Sequence, residues 1–141
     1  MKNLLILFAF FGITALMAQP NFNMNAVQWK QETVLPAKLK KGQEIEIKFS
    51  AKIVEGYHIY SANQPGKSAL PLVLEYDKTA VVPVGKIEEG GNLITKYDDI
   101  FKDNIAYFDG NATFSQKIKI VNPKKPIVVK CKYQLCNDEM C

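Results

Sequence analysis

Gln43-Glu-Ile-Glu-Ile-Lys-Phe-Ser-Ala-Lys-Ile-Val54 carries the clearest periodicity in the chain. Ile45, Ile47, Phe49, Ala51 and Ile53 alternate with Glu44, Glu46, Lys48, Ser50 and Lys52. Successive side chains of a strand point to opposite faces, so this pattern reads as a strand with one face in a core and one in water. Working outward, shorter alternations align Leu70, Leu72, Leu74 and Tyr76, then Ala112, Phe114, Ile118 and Ile120, then Ile127, Val129, Cys131, Tyr133 and Leu135. Gly56, Pro65-Gly66, Gly90-Gly91, Asp109-Gly110-Asn111 and Pro123 separate these runs as turn or loop signals. No stretch carries a helical stripe. Short strands joined by turn chemistry predict an all-β chain, an immunoglobulin-like antiparallel β-sandwich, with a small closed barrel as the alternative.

A chain of 141 residues accommodates one domain, and neither a repeat nor a linker interrupts it. Its 48% apolar and 23% charged residues place it among ordinary globular proteins rather than disordered ones. All 18 basic residues are lysine, so the bidentate fork of arginine that suits phosphates and base edges is missing, which argues against nucleic acid as a partner. The net charge of +4 is spread along the chain and reads as solubility.

The first residues have a different character. Lys2, an apolar run from Leu4 to Ile13 and the small residue Ala18 before Gln19-Pro20 form the three regions of a secretory signal. Residues 1–18 are therefore expected to be cleaved. The apolar segment from Leu4 to Ala18 has only 15 residues, short for a bilayer that needs about 20. Residues 19–27 read as a flexible N-terminal segment, with Trp29 pinning the start of a domain over 28–141. Export places the cysteines where disulfides persist.

All three cysteines fall at the end of the chain, at Cys131, Cys136 and Cys141. In one continuous strand Cys131 shares the apolar face with Val129 and Tyr133 and reads as a buried, inert structural cysteine, whereas Cys136 follows Lys130, Lys132 and Gln134 on the polar face. Cys131 and Cys136 would then point apart and could not meet. The polar group Asn137-Asp138-Glu139 has the chemistry of a turn that folds Cys141 back opposite Cys136. Loop entropy does not choose between pairings, since closing a 6-residue loop is worth about 2.2 kcal/mol and an 11-residue loop about 2.8 kcal/mol. Geometry favours Cys136 with Cys141. A metal site fits poorly: C-x4-C-x4-C lacks the C-x2-C spacing, and only His58 could complete a ligand set. No metal and no cofactor is expected.

Lys132-Tyr-Gln-Leu-Cys136-Asn-Asp-Glu-Met-Cys141 resembles the redox-active segment of the N-terminal periplasmic domain family of DsbD, the thiol:disulfide interchange protein. Gly56-Tyr57-His58-Ile59-Tyr60 resembles that family's aromatic-rich strand, and Tyr97-Asp98-Asp99-Ile100-Phe101 the segment leading into its cap loop. The similarity extends over about residues 28 to 141. It implies an immunoglobulin-like domain whose catalytic pair, Cys136 and Cys141, is shielded by a cap loop that moves aside for a partner. Phe101 is then the cap candidate and Tyr60 a neighbour of the pair, both of which read equally well as aromatic core. His58 reads as a surface or packing residue. The implied partners are a thioredoxin-like electron donor, fed by a membrane-embedded partner, and periplasmic proteins bearing disulfides. The family continues past its second cysteine into a closing strand, so a chain ending at Cys141 reads as part of a longer protein.

The function expected is periplasmic thiol-disulfide interchange of the protein-disulfide reductase type, running through a mixed disulfide. The alternative is a non-catalytic secreted binding module in which the same disulfide is a structural staple.

Overall fold

The computed structural model describes residues 22–141. The expected signal segment, 1–18, lies outside the described residues. Eight strands and no helix are present among them: β1 (Val27–Gln31), β2 (Glu44–Ile53), β3 (His58–Tyr60), β4 (Val73–Tyr76), β5 (Val81–Asp98), β6 (Asp103–Ile120), β7 (Val129–Lys132) and β8 (Leu135–Cys136). All pairings are antiparallel. The large sheet runs β1-β2-β6-β3-β8 with β5 also on β6, and β4-β7 forms a second, small sheet. The fold is an immunoglobulin-like β-sandwich.

β2 is the strand that the alternation predicts: Ile47, Ala51 and Ile53 are buried, while Glu44, Glu46, Lys48 and Lys52 are exposed. Its partners on β6 continue the apolar face, with Phe49 opposite Phe114 and Ala51 opposite Ala112. Leu72 and Leu74 close the core from the other side, packing with Ile59, Phe108 and Phe114. Phe108 and Phe114 meet edge to face at 5.5 Å, a favoured aromatic geometry. A second cluster of Ile47, Val81, Ile118 and Ile120 fills one end of the sandwich.

Three turn or strand expectations change. Gly90-Gly91 and Asp109-Gly110-Asn111 are not turns: they lie inside β5 and β6, which form one long hairpin. The register shifts between Gly91 and Leu93. At Gly91, φ is 119° and an added β-carbon would collide with the Asn111 carbonyl, so glycine here marks a bulge in a strand rather than its end. A second shift, between Val84 and Glu88, explains why a polar residue interrupts the apolar stripe of β6. The buried Gln116 amide donates to the carbonyls of Val84 and Gly85 at 3.0 and 3.1 Å, satisfying groups that the bulge frees from the ladder. Finally, Leu70 is 66% exposed because the strand starts only at Val73.

Of residues 19–27, those from Phe22 onward are held against the domain. Phe22 packs on Tyr57, whose hydroxyl accepts the Asn23 amide at 2.9 Å, and Ala26 is fully buried. Trp29 lies 5.7 Å from Phe114 and 5.3 Å from Tyr133.

Candidate functional site

Residues 127–136 do not form one strand. β7 pairs with β4 in the small sheet, with Cys131 opposite Leu74. β8 pairs with β3 in the large sheet, with Leu135 opposite Ile59 and Cys136 opposite His58. The chain therefore crosses between sheets at Tyr133 and Gln134, and the face that meets water at Lys130 and Lys132 meets a different set of side chains at Cys136. This overturns the expectation of a polar face for Cys136, which is 0% exposed.

Register defines what surrounds it. Ile59, Phe108 and Leu135 face the inter-sheet core. Cys136, His58, Tyr60 and Tyr107, one position away on each strand, project from the opposite face of the large sheet. There Cys136 packs with Tyr60, Ala69 and Ile105 in a small separate cluster, with Phe101 and Tyr107 against its edge. Tyr60, 2% exposed, lies beside Cys136 in this cluster, and Phe101 meets the Tyr60 ring edge on at 6.1 Å.

Two turns close over the cluster. In the first, between β5 and β6, the Asp98 carboxylate accepts the amides of Phe101 and Ile100 at 2.9 Å each. These bonds, that from Phe101 foremost, hold the Asp98 carboxyl below the usual range. They direct Phe101 inward and leave Ile100 90% exposed. In the second turn, the Asn137 amide donates to the Met140 carbonyl at 2.8 Å, and the Asn137 side-chain oxygen accepts the amides of Glu139 and Met140. That side-chain stitching is the turn chemistry of asparagine. It brings Cys141 to Cys136, with α-carbons 4.0 Å apart and a disulfide between them. The turn falls on Asn137-Asp138-Glu139, where the sequence places it.

The loop between β3 and β4 supplies the remaining wall. Glu89 accepts bonds from Ser61 Oγ, the Ala62 amide and the Asn63 side chain, and Asp103 Oδ2 accepts those from Lys67 and Ser68. Gly66 runs so close to Asp103 that a β-carbon would strike its carboxylate. These ties seat Ala69 on Cys136.

Cys141 is exposed and borders two hollows. One, of about 470 Å³, is lined by His58, Tyr60, Phe101 and the turn after β8. The other, of about 510 Å³, is lined by Phe22, Met24, Tyr133, Leu135 and Met140. Cys136 borders neither. Cys131 is free, half-buried and on the other side of the large sheet, packed against the inter-sheet core. Burial pushes its thiol up to about 11. Among the described residues no group of three His, Cys, Asp or Glu is placed to hold a metal ion.

A disulfide with one sulfur sealed in an aromatic cluster and the other at the rim of two hollows is the geometry on which the sequence comparison bears. The family model described as "Thiol:disulfide interchange protein DsbD, N-terminal" matches residues 25–141. The chain belongs to this family. The DsbD N-terminal family as a whole is periplasmic and engages thiol-disulfide redox partners. No curated protein and no solved structure matches the chain.

Sequence reasoning found the DsbD-type cysteine pair, but by an argument that assumed a single strand. It missed Cys136's burial and the ladder pairing of His58 with it. The only available signal was the spacing of His58 and Tyr60 on one strand face.

Proposed function

We propose that this DsbD-family domain performs thiol-disulfide interchange in the periplasm, passing electrons from a thioredoxin-like donor to disulfides of exported proteins through Cys136 and Cys141. The observation that carries this reading is the asymmetric burial of the pair. An attacking thiolate must approach one sulfur, and only Cys141 borders open space. The partner thiolate attacks Cys141, the bond to Cys136 breaks with its electron pair passing to Cys136, and the partner's second thiol resolves the mixed disulfide. Phe101 and Tyr60 act as the shield of Cys136, keeping its sulfur from small oxidants and from the wrong thiols. Cys131 serves packing alone.

The test is titration of the purified domain against glutathione and dithiothreitol buffers, with thiols counted by mass spectrometry. An exchanging pair opens and closes within the range of periplasmic redox partners. A midpoint below about −300 mV marks a structural staple instead and overturns the proposal. In a partner mixture, Cys136→Ser should trap a mixed disulfide through Cys141, whereas a trap formed only by Cys141→Ser would reverse the order of attack.

A further inference from the structure

β3 lies between β6 and β8, and its register sets His58 directly opposite Cys136. Side chains paired in this way leave the same face with β-carbons about 4.5–5.5 Å apart. The His58 side chain therefore leaves the backbone beside that of Cys136 and on its side of the sheet. Its ring is 5.5 Å from Tyr60 and 4.7 Å from Tyr107, and it lines the same hollow as Cys141. The charged groups facing it are Lys96 and Asp98 from β5, Asp109 from β6 and Asp138 from the turn after β8. Tyr60 and Tyr107 are the titratable groups in contact.

The exchange cycle needs a proton acceptor at this place. A cysteine in an apolar cluster resists ionisation, because burial disfavours the charged form. Yet Cys136 has to act as a thiolate each time the disulfide re-forms.

We propose that His58 takes the proton of the Cys136 thiol when Cys136 resolves a mixed disulfide at Cys141, and returns a proton when the Cys136–Cys141 bond is opened. This rests on the interchange function above. In the reduced protein the Cys141 thiolate attacks a partner disulfide, forming one S–S bond and releasing the partner's other sulfur as a thiolate. Cys136 passes its proton to the neutral imidazole and attacks Cys141 Sγ. The Cys136–Cys141 bond forms, the bond from Cys141 to the partner breaks, and the electron pair leaves on the partner's sulfur, which takes the proton from the imidazolium. The domain's dithiol is oxidised and the partner's disulfide is reduced to one thiol and one thiolate, the thiolate taking from solvent the proton that Cys141 gave up on ionising. Burial, followed by the charge of Lys96, holds the His58 pKa below its usual value, so the ring is in its accepting form at neutral pH.

The test uses the reduced full chain carrying Cys131→Ala in every arm, so that one pair is read. One equivalent of dithiobis(nitrobenzoate) places thionitrobenzoate on Cys141, and closure by Cys136 releases it with a visible absorbance. Release in His58→Phe and His58→Gln should be slower by about tenfold or more near pH ~7. The gap between wild type and variants should narrow as pH rises, because hydroxide then competes with the imidazole for the thiol proton. Variants that match wild type near neutrality, or that lose the same factor at every pH as a packing defect would, overturn the role of His58. If wild type releases nothing at any pH, the interchange reading itself fails. Release that is indifferent to His58 sinks only this inference.

Discussion

Cys131 and Cys136 are separated by four residues of chain and by the whole thickness of the large sheet. Cys131 lies between the two sheets, opposite Leu74, with no sulfur partner and a thiol that burial keeps protonated. Cys136 lies on the far face, in a cluster of four buried residues under two turns, bonded to a sulfur that borders open space. Both are apolar environments. What separates them is a sulfur partner that a second thiol can reach, Cys141, and the sheet crossing at Tyr133 and Gln134 sets Cys136 rather than Cys131 beside it.

The contrast breaks most directly by substitution. Cys136→Ser and Cys141→Ser should each abolish interchange while costing about 2 kcal/mol of stability, the worth of a short closed loop. Cys131→Ser should leave interchange intact. Insulin-reduction assays beside urea melts measure both, and loss of interchange in Cys131→Ser would erase the distinction. Next in size is the difference between the faces. Phe114→Ala, in the fully buried inter-sheet core, should cost about 3–5 kcal/mol in urea unfolding. Phe101→Ala, over the half-covered outer cluster, should cost well under half of that, yet let dithiothreitol reduce the disulfide several-fold faster, as stopped-flow measurement would record. An unchanged reduction rate would remove Phe101 from the cap.

The smaller effects concern ionisation. Against an ordinary thiol near 9, a Cys131 thiol at about 11 is ionised about a hundredfold less often at mildly alkaline pH. Iodoacetamide should label it correspondingly more slowly in the folded protein than in urea. Tyr76, pushed up to about 12 first by burial and then by Cys131, adds to the same trend. Both groups have raised folded pKa values, so their contribution is complete at neutral pH. It is lost as pH rises through about 9 to 12. Urea midpoints across that range should fall, and Cys131→Ala should flatten the decline.

The legible parts of the fold share one property. β2 and the second half of β6 have one face in the core and the other in water, so the apolar alternation in the sequence is the structure. β5 was illegible for the opposite reason. It is an edge strand interrupted by two bulges, with Leu93 and Tyr97 exposed, and Pro83 is tolerated because only one neighbour pairs with it. Its glycines imitate turn signals because bulges and turns both need backbone that other residues resist. In the site, the Cys136–Cys141 pairing and the turn at Asn137 were legible because they are local. The neighbours Tyr60, Ile105, Ala69 and His58 come from other strands and loops, and only Tyr60 could be proposed from resemblance.

The sequence by itself determined that this is an all-β chain with a short-range cysteine pair, because period-two alternation and turn chemistry act over a few residues. Tertiary structure alone decided which sulfur is sealed and which is reachable. That depends on which sheet each piece of backbone hydrogen-bonds to, and a strand that changes sheets reverses the meaning of its own polarity pattern.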